Sequence, residues 1–69
     1  MKLTINGENK LIQSNEEKSS LKFVIEQLGL NPQLIVVEYN GQIINSKNWA
    51  GQKVYEGDTL EIVTIVGGG

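Results

Sequence analysis

EIVTIVGGG, running from Glu61 to Gly69, decides how the rest of the chain is read. Six strand formers are followed by three residues without side chains. Thr59 to Val66 is predicted to be a β-strand, with Leu60 and Ile62 on one face and Glu61, Val63 and Ile65 on the other. The glycines then divide the chain into a folded domain, residues 1–66, and a flexible Gly67–Gly68–Gly69 tail. Glycine loses more conformational entropy on ordering than any other residue, so such a tail stays thin and mobile. A glycine run alone fits plain disorder equally well. The strand before it and the order of the remaining elements favour a functional tail.

Upstream, Leu3 and Ile5 alternate with Lys2, Thr4 and Asn6, the mark of a half-buried strand. Asn6 to Asn9, NGEN, predicts a turn, and Lys10 to Gln13 a returning strand. Leu21, Val24, Ile25 and Leu28 fall on one helical stripe, with Ser20 as N-cap and Gly29 as C-cap. Pro32 is read as preventing a restart. Ser14 to Glu17 has capping-box spacing but no apolar stripe directly after it. Phe23 lies off the stripe, roughly opposite the core face, either packing at the edge or touching a partner. Leu34 to Gly41, LIVVEYNG, is expected to be a central strand buried on both faces for part of its length. Asn40–Gly41 is a second turn, Gln42 to Ile44 a short return strand, and Glu56 to Asp58 a third turn. Trp49 is expected to plug the edge of the core. One helix covers only one face of a four- or five-stranded sheet. Val63 and Ile65 are then left on the uncovered face as a partner-binding patch.

The chain has 69 residues, which suit one small domain. It has no cysteine and no histidine, so thiolate ligands, a cysteine nucleophile and the usual neutral-pH base are missing. Its charges are six lysines against eight acids, with no arginine. No basic stripe marks a nucleic-acid surface. No apolar run approaches the roughly 20 residues of a membrane span. MKLTING is too short and too strand-like for a signal peptide, which makes cytoplasm the expected compartment. No spacing among the acids, lysines and serines fixes a catalytic geometry. The glycines open no helix, so they are not a phosphate loop.

The distinctive group is therefore the α-carboxylate of Gly69. With no Cβ on Gly67, Gly68 or Gly69, such an arm enters a narrow channel in another protein. Its carboxylate becomes an acyl donor only after activation, for example as a mixed anhydride with AMP.

Strand–strand–helix–strand–strand with a Gly-Gly end resembles the α+β architecture of the β-grasp, or ubiquitin-like, proteins: a mixed four- to five-stranded sheet with one helix on one face. The segments SLKFVIEQLGL, VVEYNGQIINSKNW, EGDTLEIV and VGGG resemble, among these, the ThiS family of thiamine-biosynthesis sulfur carriers. Together they run from Ser20 to Gly69. Ile44–Asn45 and Glu38–Tyr39 depart from the Val-Pro and the smaller pair common there.

The resemblance implies a carrier and not an enzyme. A ThiF-type adenylyltransferase would use ATP to adenylate Gly69. Sulfur from a cysteine desulfurase route would convert the adenylate to a thiocarboxylate, and the thiazole synthase ThiG would take up the sulfur. No cofactor is expected on the chain itself; ATP, magnesium and zinc belong to the partners. Competing expectations are a molybdopterin-synthase sulfur carrier of MoaD type, a ubiquitin-like modifier joined to lysines through Gly69, and a plain interaction domain.

Overall fold

A computed structural model describes residues 1–15 and 18–65. The chain opens with strands β1 (Lys2–Ile5) and β2 (Glu8–Leu11), followed by helix α1 (Leu21–Gln27). A short 3-10 turn at Pro32–Leu34 leads into β3 (Ile35–Tyr39) and β4 (Gln42–Ile44). A 3-10 helix at Ser46–Gly51 precedes the last strand, β5 (Thr59–Thr64). The five strands form one mixed sheet in the order β2-β1-β5-β3-β4. Only the β1–β5 pair is parallel. The expected mixed sheet with one α-helix on one face is thus what the chain forms.

Both hairpins turn on Asn-Gly. Asn6 and Gly7 have φ of 51° and 80°, and Asn40 and Gly41 have 47° and 88°. Two successive positive φ values are what a two-residue hairpin with right-handed strand twist requires, and Asn and Gly tolerate them best. The first turn is tighter than NGEN suggests. Ile5 already pairs with Glu8, so the second strand is Glu8–Leu11 and Gln13 lies outside it.

Helix α1 begins where expected. The Ser20 side chain accepts a hydrogen bond from the Phe23 N–H at 3.1 Å. Gly29, just past the C-cap Leu28, has φ of 71°. Pro32 does not merely block a helix: it starts the 3-10 turn, where its fixed φ suits the first position and its missing N–H costs nothing. Of the Ser14–Glu17 spacing, Glu16 and Glu17 lie outside the described residues. Asn15 caps locally, its Oδ1 accepting from the Lys18 N–H at 2.8 Å.

The core lies between α1 and one sheet face. Leu3, Ile5, Leu21, Val24, Ile25 and Leu60 are buried as expected, joined by Ile12, Ile35, Val37, Trp49 and Val54. Leu28 and Ile62, expected in the core, are only half-buried and pack against it. The reason is length. Seven helical residues span about 10 Å, whereas six strand residues span about 20 Å, so α1 cannot cover all of β5. Trp49 closes the flank, buried, with its Nε1–H donating to the Ile44 carbonyl at 2.9 Å.

One placement differs from the sequence reading. The central strand is β5, with β3 second from the edge. Val37 is buried under the helix, but Val36 and Glu38 on the other face of β3 stay half-exposed. A long β-branched run therefore does not mean burial on both faces here, because the domain has only one covering layer.

Candidate functional site

Strand β5 joins the core to the end of the described chain. Leu60 is fully buried, and its neighbours alternate outward. Val63 is 60% exposed and Ile65 48% exposed, both on the face away from α1. The Ile65 N–H donates to the Leu34 carbonyl at 2.6 Å, carrying the β3–β5 ladder one step past the strand. The chain thus leaves the sheet from its central strand with its direction held to the last described residue. Gly67, Gly68 and Gly69 lie outside the described residues, as does Val66, so the boundary expected at 66/67 does too.

Register shows what else shares this face. Val36 pairs with Val63, Glu38 with Glu61, and Glu38 also with Ile43 of β4. Directly paired residues point the same way, so Val63, Val36 and Ile43 form an apolar strip interrupted by two carboxylates. Ile43 is 70% exposed. Val36 and Ile43 did not stand out in sequence, and Glu38 did so only as a departure from a smaller pair, although the two-residue alternation in β3 and β4 carries the signal.

Phe23 belongs elsewhere. It sits on α1, half-buried against the core, on the opposite side of the sheet from Val63 and Ile65. It lines a shallow concavity with Gln13, Ser14, Asn15, Lys18 and Gln27. The ring is therefore not opposite the core: it packs against the core at the helix edge, with the polar β2–α1 connection running alongside. The three residues expected to bind partners do not form one surface.

The start of β5 is held by polar contacts. Asp58 accepts hydrogen bonds from the Tyr39 hydroxyl, from the Tyr55 N–H at 2.8 Å and from the Asn40 amide at 3.3 Å. Asn40 Oδ1 accepts in turn from the Thr59 N–H at 2.8 Å. Burial pushes the Asp58 carboxyl up, but these donors outweigh it and hold the group below the ordinary carboxylate range. Burial is also the first cause that raises Tyr39, and the Asp58 carboxylate adds to it, pushing the phenol up to about 12. On the far side of β5, Asn6 imitates a strand residue: its Oδ1 accepts from the Ile62 N–H at 2.7 Å and its Nδ2 donates to the Ile62 carbonyl at 3.1 Å. Both sets of contacts fix β5 without using Glu61, Val63 or Ile65.

Among the described residues no cluster of three or more acids, histidines or cysteines could hold a metal ion. No helix among them is long and apolar enough to cross a membrane.

Comparison with known proteins adds a consistent set of likenesses. Residues 3–69 match the sequence model of the ThiS family. A thiazole synthase of Paramagnetospirillum magneticum is 35% identical over all 69 residues, which make up 20% of that protein's length. The chain thus spans a fifth of that relative. An uncharacterized protein ycf40 of Trieres chinensis is 44% identical over 50 residues, 72% of this chain and 68% of that one. The crystal structure of a thiamine biosynthesis protein (ThiS) from Geobacter metallireducens superposes with a TM-score of 0.83 at 26% identity, covering 100% of both chains.

Proposed function

The chain belongs to the ThiS family, and from that premise we propose that it is a sulfur carrier of thiamine biosynthesis, acting through the carboxylate of Gly69. The observation that carries this reading is the extent of the family match. It runs through residue 69 and takes in all three glycines, which supports reading them as part of the family pattern.

In this reading Gly67 and Gly68 thread a channel in a ThiF-type adenylyltransferase. A Gly69 carboxylate oxygen attacks the α-phosphorus of ATP there, releasing pyrophosphate and leaving an acyl adenylate. A sulfide equivalent from a cysteine desulfurase route displaces AMP and leaves a thiocarboxylate. Thiazole synthase then takes the sulfur. ATP and any metal act in the partners' sites, and this chain supplies the acyl group and the surface that docks it. The likeness to one-fifth of a thiazole synthase supports that last partner, since a domain joined to an enzyme in one chain sits at high effective concentration beside it. Val63 and Ile65, exposed beside the exit of β5, are the contacts proposed for the activating enzyme.

Intact-mass measurement on protein from sulfur-replete cells tests the reading. The expected species carries one sulfur in place of one oxygen, located on Gly69 by fragmentation. A chain with Gly69 unmodified in cells, and inert to ATP with its cognate activating enzyme, would sink the proposal. Isopeptide-linked conjugates in place of a free thiocarboxylate would point to a protein modifier.

A further inference from the structure

The face away from α1 places two like charges side by side. Glu38 of β3 and Glu61 of β5 are direct cross-strand partners. Their Cβ atoms are therefore about 4.5–5.5 Å apart on one surface, an arrangement that destabilises a sheet. Among the described residues neither carboxylate has a cation within 4.0 Å; the ion pair there joins Lys10 to Glu8, at 4.0 Å, on the other face. Asn6, the neighbour of Glu61 on the β1 side, is committed to the Ile62 backbone. Among the described residues no third acid completes a metal site.

The surroundings of the pair are apolar. Val36 and Val63 form the next cross-strand row, and Ile43 flanks Glu38. A cation placed over the two carboxylates would meet both charges while the valines and Ile43 kept water from its sides. Two adjacent carboxylates among apolar groups match a planar, weakly hydrated, forked donor better than a compact ammonium.

We infer that this face docks a protein partner presenting an arginine from an apolar patch, the guanidinium bridging Glu38 and Glu61 while Val36, Val63 and Ile43 pack around it. The inference rests on the carrier reading and assigns the partner as the activating enzyme, because β5 runs from Glu61 past Val63 towards the glycines. A partner seated on the pair would therefore cover the strand from which the chain runs on to the glycines. The uncompensated repulsion in the free chain is relieved in the complex, which makes the pair a device for partner selection as much as for affinity.

The test is calorimetric titration of the full chain into its cognate ThiF-type adenylyltransferase at several salt concentrations. Glu38→Gln/Glu61→Gln is expected to weaken Kd by roughly tenfold or more and to flatten the salt dependence. Glu8→Gln removes one negative charge from the other face and is expected to bind as wild type. The double variant should unfold at a higher urea concentration than wild type, since it loses a repulsion. Wild-type affinity and salt slope in the double variant, an equal loss from Glu8→Gln, or a lowered urea midpoint in the double variant would each overturn the inference. The carrier reading fails separately: it falls if wild-type chain is never adenylated or thiolated, and it stands if the wild-type chain gains sulfur while the double variant binds unchanged.

Discussion

Asp58 gathers three donors at the mouth of β5, from Tyr39, Tyr55 and Asn40, and so joins the β3–β4 turn to the central strand. Truncating it leaves those donors to water and should cost about 1–3 kcal/mol in a urea titration of Asp58→Ala at neutral pH. The folded carboxyl titrates below its unfolded value, so the unfolded chain binds more protons in the window between them. The contribution is therefore complete above the unfolded carboxylate value of about 4 and is lost as pH falls through the lower folded value. Unfolding curves at successive pH values should show a shallower acid limb for Asp58→Ala than for wild type. An equally steep limb would assign acid sensitivity to other carboxylates. Tyr39 has the opposite sign. Its raised value means a contribution present below pH 10 and lost as pH rises through about 12. Neither contact was legible in sequence, because Tyr39 and Asp58 lie on different hairpin and strand ends that only the fold brings together.

Helix α1 is a short element held at its ends. Seven residues are marginal as an isolated helix, so capping and burial carry it. Ser20 caps the Phe23 N–H, while the Leu21 N–H donates to the Gln52 carbonyl at 2.7 Å and the Val54 N–H to Ser19 at 2.8 Å. Ser20→Ala should cost about 1 kcal/mol, measured as a shift in urea midpoint with an unchanged slope. No shift would mean that the Gln52 and Ser19 contacts hold the helix start without the hydroxyl. In the sheet, Leu60 is fully buried at the centre of β5. Leu60→Ala should cost about 2–5 kcal/mol, a large part of a small domain's stability. A change under about 0.5 kcal/mol would place Leu60 on the surface and reverse the assignment of faces. The stripe and caps of α1, the Asn-Gly turns and the faces of β5 were all readable, because each depends on residues within one or two turns of chain.

For the molecule as a whole, stability and the proposed chemistry separate in space. The core lies on one side of the sheet, and the exposed face carries Val63 on the other. Val63→Asp should leave stability within about 0.5 kcal/mol of wild type, as for exposed positions generally, yet weaken binding to the activating enzyme by placing a charge in a contact that must lose water. Wild-type affinity in a folded Val63→Asp variant would remove this residue from the interface. In the proposed function the glycines act by reach. Deleting Gly69 shortens it by about 3.3–3.6 Å, and even 1 Å at a reacting centre can cost on the order of 100-fold in rate. Gly68→Val adds a branched side chain where a narrow channel requires none. Chain ends contribute little to folding, so both variants should melt with wild type while losing ATP–pyrophosphate exchange. Full exchange by the Gly69 deletion would mean that its carboxylate is not the group that attacks ATP.

The sequence by itself determined what local chemistry determines. Asn-Gly set the hairpins, periodicities of 3.6 and 2 set the helix stripe and the faces of β5, and missing histidine, cysteine and arginine directed attention to the glycine arm. Tertiary structure alone decided which strand is central, how far one short helix covers it, and that Phe23 and Val63 stand on opposite sides of the sheet. It also decided that Glu38 meets Glu61, since that register follows from β3 and β5 burying Val37 and Leu60 against the same helix. Pairing between distant strands is selected by the core they share, and no local pattern in either strand carries that information.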